Sequence, residues 1–398
     1  MTAGLYIHIP FCEHICGYCD FYRVAQRESQ IPVYLQALKK EINLYSEDPA
    51  VNGLRFETLY FGGGTPSLLT PAQLDSLVQT VFSKFHFVSQ PEITVETNPG
   101  TVNLQKLRGF RTAGVNRLSL GIQSFRADEL KLLDRIHSVE DAVACFNDAR
   151  QAGFDNISID LIFALPSQTV GDWKRNLKAA VALAPNHISA YNLTFEEGTP
   201  LTRQLQTGVF QKLCEELQAE MQLTTIEYLS ARGYAHYEIS NYAQPNFHSR
   251  HNQKYWDGSP YLGLGTSAHS FVGPRRFWNF AHLAKYQESL SSDKRPVTGE
   301  EYLDLEDQAF EKVFLSLRQR RGIHLRSFEI ELHMSFFDNY LQALSKFFCE
   351  DFHDRELTQG LINGARKLKS RLLEFEDGFL RLTTPGVLVC DAICSEFA

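Results

Sequence analysis

The sequence lacks an excess of positive charge, and it also lacks any long apolar run. Its 398 residues include 39 Lys and Arg but 47 Asp and Glu, which gives a formal net charge of −8. Because proteins that bind the phosphate backbone need a basic surface, this balance argues against a nucleic-acid partner. No stretch approaches the roughly 18 apolar residues of a membrane-spanning helix, and the N-terminal residues lack the charged and apolar regions of a secretion signal. We therefore expect a cytoplasmic protein without a transmembrane segment.

Eight cysteines are present, and a cytoplasmic location disfavours disulfides as their explanation. Three of them crowd into residues 12–19, which points to metal or redox chemistry. The other five are far apart in the sequence, and we expect them to be small buried apolar residues. These five are Cys145, Cys214, Cys349, Cys390 and Cys394.

Short runs of β-branched and aromatic residues alternate with segments of helical period through the first half of the chain. The predicted strands cover residues 5–9, 59–61, 93–96, 117–120, 157–161 and 187–191. This alternation of strands and helices predicts a parallel sheet with right-handed crossovers. Six units are fewer than the eight of a closed TIM barrel, so we expect an α/β fold built on an open, partial (β/α)6 barrel.

The later segments predict smaller units. Apolar residues repeat every four positions over residues 205–221 and predict one long helix that trails the barrel. A region rich in His, Tyr and Gly follows, and it predicts irregular structure with short strands. Helices are predicted near 303–319 and 335–348, with a hairpin at Asp377-Gly378. We therefore expect a core over residues 1–232, a middle region over 233–298, and a smaller helical, winged-helix-like domain over 299–398.

Residues with distinctive chemistry follow the predicted strands. The cysteine group follows the first strand, a Gly62-Gly-Gly-Thr65 run follows the second, and Glu96 ends the third. Gln123 follows the fourth strand, and Asp160 lies near the end of the fifth. Because the carboxyl ends of parallel strands meet at one edge of a sheet, we expect the functional site there.

Cys12, Cys16 and Cys19 form a C-x-x-x-C-x-x-C group directly after a strand. Thiolates are the ligands that iron–sulfur clusters require, and one short loop can wrap three of them around a 4Fe–4S cubane. The fourth iron would then stay open for an outside ligand. The residues alone leave three alternatives, which are a zinc site completed by His8 or His14, a disulfide, and simple burial of the cysteines.

Longer motifs surround these residues in a fixed order along the chain. They are Tyr6-Ile-His-Ile-Pro-Phe-Cys12, Cys19-Asp-Phe21, Phe61-Gly-Gly-Gly-Thr-Pro-Ser67, Glu96-Thr-Asn-Pro-Gly100, Arg117-Leu-Ser-Leu-Gly-Ile-Gln-Ser-Phe125, Arg135-Ile-His137 and Asp160-Leu-Ile-Phe-Ala-Leu-Pro166. Together they closely resemble the oxygen-independent coproporphyrinogen III dehydrogenase-like branch of the radical S-adenosylmethionine (SAM) superfamily. The resemblance implies a partial (β/α)6 barrel in which SAM chelates the open iron of a 4Fe–4S cluster through its amino and carboxylate groups.

The resemblance also implies roles for single residues. Gly63, Gly64 and Thr65 would meet the methionine amino group of SAM, where glycine permits close approach of the backbone. Glu96 would accept hydrogen bonds from the ribose hydroxyls, and the fork of Arg135 would bind the SAM carboxylate. The other residues that the resemblance places at the cofactors are Tyr6, Tyr18, Asp20, Phe21, Gln123 and Asp160.

Two features separate this chain from the dehydrogenase itself. Phe21 stands where the dehydrogenase has a fourth cysteine, and the first strand begins near residue 5, without the N-terminal extension of that enzyme. Both features resemble the heme chaperone family of the same branch, as does the H-N-x-x-Y-W motif that starts at His251. This resemblance implies a protein that binds heme and transfers it to an acceptor such as a respiratory heme enzyme, with an electron donor for the cluster. The alternatives are the dehydrogenase, which decarboxylates coproporphyrinogen propionates by radical chemistry, and a radical enzyme with another substrate.

The same motif supplies a candidate for the heme site. A neutral imidazole is a good axial ligand of heme iron, so we predict His251 as the ligand, with Tyr255 and Trp256 packing on the porphyrin. The alternative is a buried histidine whose hydrogen bonds are satisfied. Arg275 and Arg276 are candidate partners for the heme propionates. Weaker candidates for the iron ligand are His8, His236 and His269.

Overall fold

Strands and helices alternate from residue 3 onward in the computed structural model of the protein, which describes residues 2–398. In chain order the strands are β1 Ala3–Ile9, β2 Phe11–Cys12, β3 Val24–Ala25, β4 Arg55–Gly63, β5 His86–Thr97, β6 Arg117–Gln123, β7 Asn156–Phe163, β8 His187–Asn192, β9 Ala235–Glu238, β10 Asn241–Ala243, β11 Tyr261–Leu264, β12 His269–Val272, β13 Arg275–Asn279, β14 Val297–Tyr302, β15 Ile323–His324, β16 Leu368–Lys369, β17 Leu373–Glu376 and β18 Phe379–Leu382. The helices are α1 Ile31–Ser46, α2 Pro49–Asn52, α3 Pro71–Lys84, α4 Leu104–Thr112, α5 Ala127–Leu132, α6 Val139–Gln151, α7 Val170–Ala182, α8 Pro200–Gln206, α9 Glu215–Ser230, α10 Arg250–Trp256, α11 Leu283–Ser291, α12 Leu305–Leu317, α13 Leu325–Leu332, α14 Phe336–Ser345, α15 Arg355–Ile362, α16 Thr384–Val387 and α17 Cys390–Ser395.

Six parallel strands form the centre of a 12-stranded sheet, in the order β1-β4-β5-β6-β7-β8. Each contains one of the six strands predicted from the sequence. Strand β1 pairs with β11 and strand β8 with β10, so the two outer strands of the barrel do not close on each other. This arrangement confirms the open, partial barrel.

The middle region contains the predicted short strands, and these strands also extend the sheet of the barrel. Strand β11 runs parallel to β1, and β12 and β13 follow in antiparallel order, with β14 next to β13. On the other side, β10 lies antiparallel to β8 and is followed by β9. The sheet therefore has six additional strands outside the barrel.

The barrel helices begin where the sequence offers capping side chains. Thr70 and Gln73 form a capping box at the start of α3, and Thr169 and Asp172 form another at α7. Each box satisfies two backbone N–H groups that the first turn leaves without a partner. Helix placement thus follows from local sequence, and the apolar faces of these helices then cover the sheet.

The single long helix predicted over residues 205–221 is wrong. Helix α8 ends at Gln206, and α9 begins only at Glu215. Gly208 has φ of 75°, a left-handed conformation that ends helices, and Val209 is 69% exposed rather than packed. The expected burial of the five scattered cysteines also fails in part, since Cys214 and Cys349 are exposed.

The chain divides into two compact units. The first comprises residues 2–235, Ser240–Lys254 and Ser259–Glu301, and the second comprises His236–Ile239, Tyr255–Gly258 and Tyr302–Ala398. The second unit has helices and a four-stranded sheet in the order β15-β18-β17-β16, with the predicted hairpin turn at Asp377-Gly378. Among residues 2–398, no helix has the length and apolar character needed to cross a bilayer. The three-region division stays a prediction.

Candidate functional site

The three clustered cysteines lie on one loop after β1, as predicted. Cys12 ends the short strand β2, and the backbone N–H of Cys19 donates to the carbonyl of Cys16 at 3.2 Å. The Thr65 hydroxyl lies 3.4 Å from the Cys12 sulfur, and Nη1 of Arg135 lies 3.3 Å from the Cys16 sulfur. The structure therefore brings together the cysteines, the glycine-rich loop and Arg135.

The thiols of this loop fit a cluster on chemical grounds. Burial raises the pKa of the Cys12 thiol, and it raises the pKa of the Cys19 thiol to about 11, so both need a cation before they ionise. Among residues 2–398, no three His, Cys, Asp or Glu side chains converge on the position of a single ion. A cubane offers each thiolate a different iron, whereas zinc needs its ligands around one atom. Three thiols on one short loop are the soft donor set that a 4Fe–4S cluster needs.

The glycine-rich loop lies directly against the end of β1. Gly64 donates its N–H to the carbonyl of Ile9 at 2.9 Å, and a Cβ atom at Gly64 would lie 2.8 Å from the Phe11 carbonyl oxygen. Gly63 has φ of 109°, and a Cβ atom there would lie 2.5 Å from the ring of His8. Only glycine fits either position, which allows the loop to pack directly against the end of β1 and against β2.

Glu96 ends β5 beside this loop. Its Oε2 accepts a hydrogen bond from the Gly63 N–H at 3.1 Å, and its Oε1 accepts one from the Tyr60 hydroxyl at 2.9 Å. Burial, together with the nearby Asp160 carboxylate, raises the pKa of Glu96 to about 7. A carboxyl group with a pKa near 7 can gain or lose a proton at neutral pH when a ligand binds.

Asp160 lies inside the barrel within a ring of serines. Its carboxylate accepts hydrogen bonds from Ser119 at 2.9 Å, from Ser189 at 2.7 Å and from Ser158 at 3.3 Å. Burial raises the pKa of Asp160 despite these hydrogen bonds. The side chain is thus held by one group from its own strand and by one from each of the two neighbouring strands.

Gln123 and Arg135 are two more of the residues predicted to contact SAM. Gln123 has φ of 67°, a left-handed conformation that costs about 1–3 kcal/mol in a residue other than glycine and is concentrated at functional sites. Arg135 donates from Nη2 to the Gly121 carbonyl at 2.8 Å and also contacts Asn98. The guanidinium is therefore fixed between the ends of β5 and β6.

The remaining residues at the cysteine loop differ in exposure. Tyr18 packs beside a small apolar cluster that includes Leu133 and Leu201. Asp20 is exposed, and Phe21 is 64% exposed. Tyr6 lies deeper, with its hydroxyl 3.1 Å from Nδ1 of His8.

His251 does not lie beside the cysteines. Helix α10 places it inside the barrel, where it is 1% exposed and stacks on Tyr60 with ring centroids 4.8 Å apart. Burial lowers its pKa to about 3, so the imidazole is neutral. Its role as a heme ligand stays a prediction, and one that requires displacement of the surrounding side chains.

The two arginines considered for the propionates already have partners. Arg275 pairs with Glu300 at 2.7 Å, and Arg276 pairs with Glu301 at 2.8 Å. A propionate would have to compete with these carboxylates. The structure therefore gives no support to this pair as a heme contact.

Apart from Glu96 and Asp160, the sequence argument missed the polar side chains that line the interior of the barrel. They occur at every second position on successive strands, and the alternation was a usable signal because side chains of a strand point alternately to its two faces. These residues are Thr58 and Tyr60 on β4, Thr94 and Glu96 on β5, Arg117 and Ser119 on β6, Ser158 and Asp160 on β7, and His187 and Ser189 on β8.

Comparison with known proteins identifies the family of this chain. Residues 6–180 match the Radical SAM superfamily. The heme chaperone HemW of Lactococcus lactis is 33% identical over 353 residues, which cover 88% of this chain and 91% of the relative. The chain belongs to the HemW/HemN-like family of radical SAM proteins.

Two further relatives show how far the similarity extends along the chain. The heme chaperone HemW of Bacillus subtilis is 36% identical over 325 residues, which cover 81% of this chain and 85% of that protein. The structure of coproporphyrinogen III oxidase (HemN) from Escherichia coli matches with a TM-score of 0.81 and 25% identity, over 100% of this chain and 90% of that one. The radical SAM domain implies a 4Fe–4S cluster and SAM, so the comparisons confirm the predicted family and fold.

Proposed function

We propose that this protein is a heme chaperone that carries a SAM-coordinated 4Fe–4S cluster and transfers heme to an acceptor protein. The observation that carries the proposal is the identity of 33–38% to proteins named heme chaperone HemW, over 81–88% of the chain. Phe21 adds support, since it stands where the dehydrogenase of the same branch has a fourth cysteine. The electron donor, the acceptor protein and a cytoplasmic location belong to the same proposal.

The cluster and SAM would be held by the residues at the carboxyl ends of the strands. Cys12, Cys16 and Cys19 would supply three thiolates, and the fixed guanidinium of Arg135 would pair with the carboxylate of SAM. SAM bound to a reduced cluster supplies one-electron chemistry. The residues themselves would orient the cofactor and, at Glu96, would hold or release a proton near neutral pH.

A titration of the purified, anaerobically reconstituted protein with hemin tests the heme part of the proposal. We expect a saturable shift of the Soret band near one equivalent of hemin, followed by loss of that band when an apo-form heme enzyme is added and gains activity. A featureless, non-saturating titration would remove the chaperone function. It would leave the cluster assignment intact, because iron content and electron paramagnetic resonance (EPR) measure the cluster independently.

The second candidate function is that of the dehydrogenase, which the structural likeness to HemN favours. In this case the protein would convert coproporphyrinogen III to protoporphyrinogen IX with release of carbon dioxide. An anaerobic assay with SAM, reductant and coproporphyrinogen III separates the two candidates. We expect no protoporphyrinogen above a control in which Cys16 is replaced by Ala.

A further inference from the structure

The ring of His251 occupies a defined layer of the barrel interior. It lies next to Gly4 of β1 and Thr58 of β4, which are paired in register. A Cβ atom at Gly4 would lie 3.3 Å from the imidazole, so the missing side chain makes room for the ring. His251 is thus built into the barrel rather than placed on its surface.

Hydrogen bonds to β4 and β5 hold His251 in place. Its Nδ1 lies 2.7 Å from the hydroxyl of Thr58, and its backbone N–H donates to Oε1 of the buried Glu92 at 3.1 Å. Lys254, in the next turn of α10, pairs with Glu57 at 2.7 Å. These contacts tie the first turns of α10 to β4 and β5.

A series of ring-stacking and hydrogen-bond contacts connects the imidazole of His251 to the candidate SAM site. The ring of Tyr60 stacks on His251 at 4.8 Å and 20°, and Tyr6 stacks on Tyr60 at 6.1 Å and 24°. The Tyr60 hydroxyl donates to Oε1 of Glu96 at 2.9 Å, and Oε2 of Glu96 accepts from the Gly63 N–H. The orientation of the carboxylate therefore depends on where the Tyr60 ring lies.

We infer that His251 is a positioning residue, which fixes the Tyr60 ring and through it orients Glu96 for SAM. The inference rests on the proposed function, because it takes SAM as the ligand beside Glu96. It gives the histidine of the H-N-x-x-Y-W motif a role inside the barrel that needs no contact with heme. The inference replaces the predicted role of His251 as heme ligand, and its consequence is that loss of the ring weakens the binding of SAM and leaves the binding of heme unchanged.

A double-mutant cycle on the full chain tests the inference. The variants are His251→Ala, Tyr60→Phe and the combination of both, with His251→Phe as the conservative replacement that keeps a ring against Tyr60. His86→Ala serves as a matched control, since His86 is exposed at the start of β5. Each protein is reconstituted anaerobically, and iron content, the SAM-induced change in the EPR spectrum of the reduced cluster, and the hemin Soret shift are measured.

We expect His251→Ala and Tyr60→Phe each to weaken SAM binding about tenfold, which is the loss expected when one hydrogen bond to a charged group is lost. The double variant should bind SAM at most about twentyfold more weakly than the wild type, because both changes remove the same support for Glu96. His251→Phe should recover most of the affinity. Iron content and hemin binding should equal those of the wild type, and His86→Ala should change nothing.

Three results would overturn the inference. These are an unchanged SAM affinity in His251→Ala, a roughly hundredfold loss in the double variant, and loss of hemin binding with SAM binding intact. If His251→Ala does not fold, a Tyr60→Phe variant with wild-type SAM affinity overturns it as well. A wild-type protein without a SAM-induced spectral change refutes the proposed function instead, so the two failures are distinguishable.

Discussion

In the absence of bound ligands, replacement of Glu96 by Gln should raise the free energy of unfolding of the protein at alkaline pH. In the folded state burial raises the pKa of Glu96 to about 7 from an ordinary 4.5, so folding disfavours the ionised form. Between these two values the unfolded chain has lost the proton and the folded chain has kept it. The contribution of Glu96 to the free energy of unfolding therefore falls as the pH rises from about 4.5 to about 7, and it is constant above that range.

The size of this effect follows from the difference between the two pKa values. At 1.36 kcal/mol for each pKa unit it corresponds to about 3 kcal/mol, and we take about 2 kcal/mol because Glu96 is only half-buried and solvent screens part of the effect. Gln resembles the protonated carboxyl, since it still accepts one hydrogen bond while the Tyr60 hydroxyl can accept another. We therefore expect Glu96→Gln to raise the melting temperature by about 4 °C at pH 8.5.

Calorimetry of cluster-free protein at pH 5.0 and pH 8.5 measures the difference. Glu227→Gln serves as the control, because Glu227 is exposed on α9. The wild type and Glu96→Gln should differ little at pH 5.0 and clearly at pH 8.5, whereas the control should match the wild type at both. A gain in stability that is equal at the two pH values, or absent at both, would refute the account of a buried ionised carboxylate.

The other predictions concern the loop, the guanidinium and the surface arginines. Gly64→Ala should abolish the SAM-induced EPR change, because the new Cβ would lie 2.8 Å from the Phe11 carbonyl oxygen and force the backbone apart; normal SAM binding would contradict the packing seen here. Arg135→Lys should weaken SAM binding about 10- to 30-fold at unchanged iron content, because a lysine cannot reproduce the fork; equilibrium binding with labelled SAM decides this. Replacing Arg275 and Arg276 together by Ala should leave the hemin dissociation constant within about twofold, because both side chains are paired with glutamates. A larger loss would show that the propionates displace those partners.

The parts of the molecule that could be predicted from sequence are those with short-range causes. The six barrel strands followed from short runs of β-branched and aromatic residues that alternate with segments of helical period, and the cysteine loop followed from thiolate chemistry at fixed spacing. The break between α8 and α9 was missed because a four-residue apolar repeat outweighed Gly208, whose left-handed conformation ends the helix. The position of His251 was missed for a different reason. No local pattern shows that a helix far along the chain will carry its imidazole into a barrel formed by earlier strands.

The interior of the barrel gives an independent argument that this site binds a ligand. Barrels of parallel strands are normally filled by layers of bulky branched residues, which makes their interior a packed core. Here the interior positions carry Tyr60, Glu96, Arg117 and Asp160, and burial raises the pKa of both carboxyls. Each such group costs stability that an apolar residue would not, since buried charges must lose their hydration. A polar ligand that pairs with these groups would offset that cost, which is why the charged lining supports SAM as a resident of the barrel.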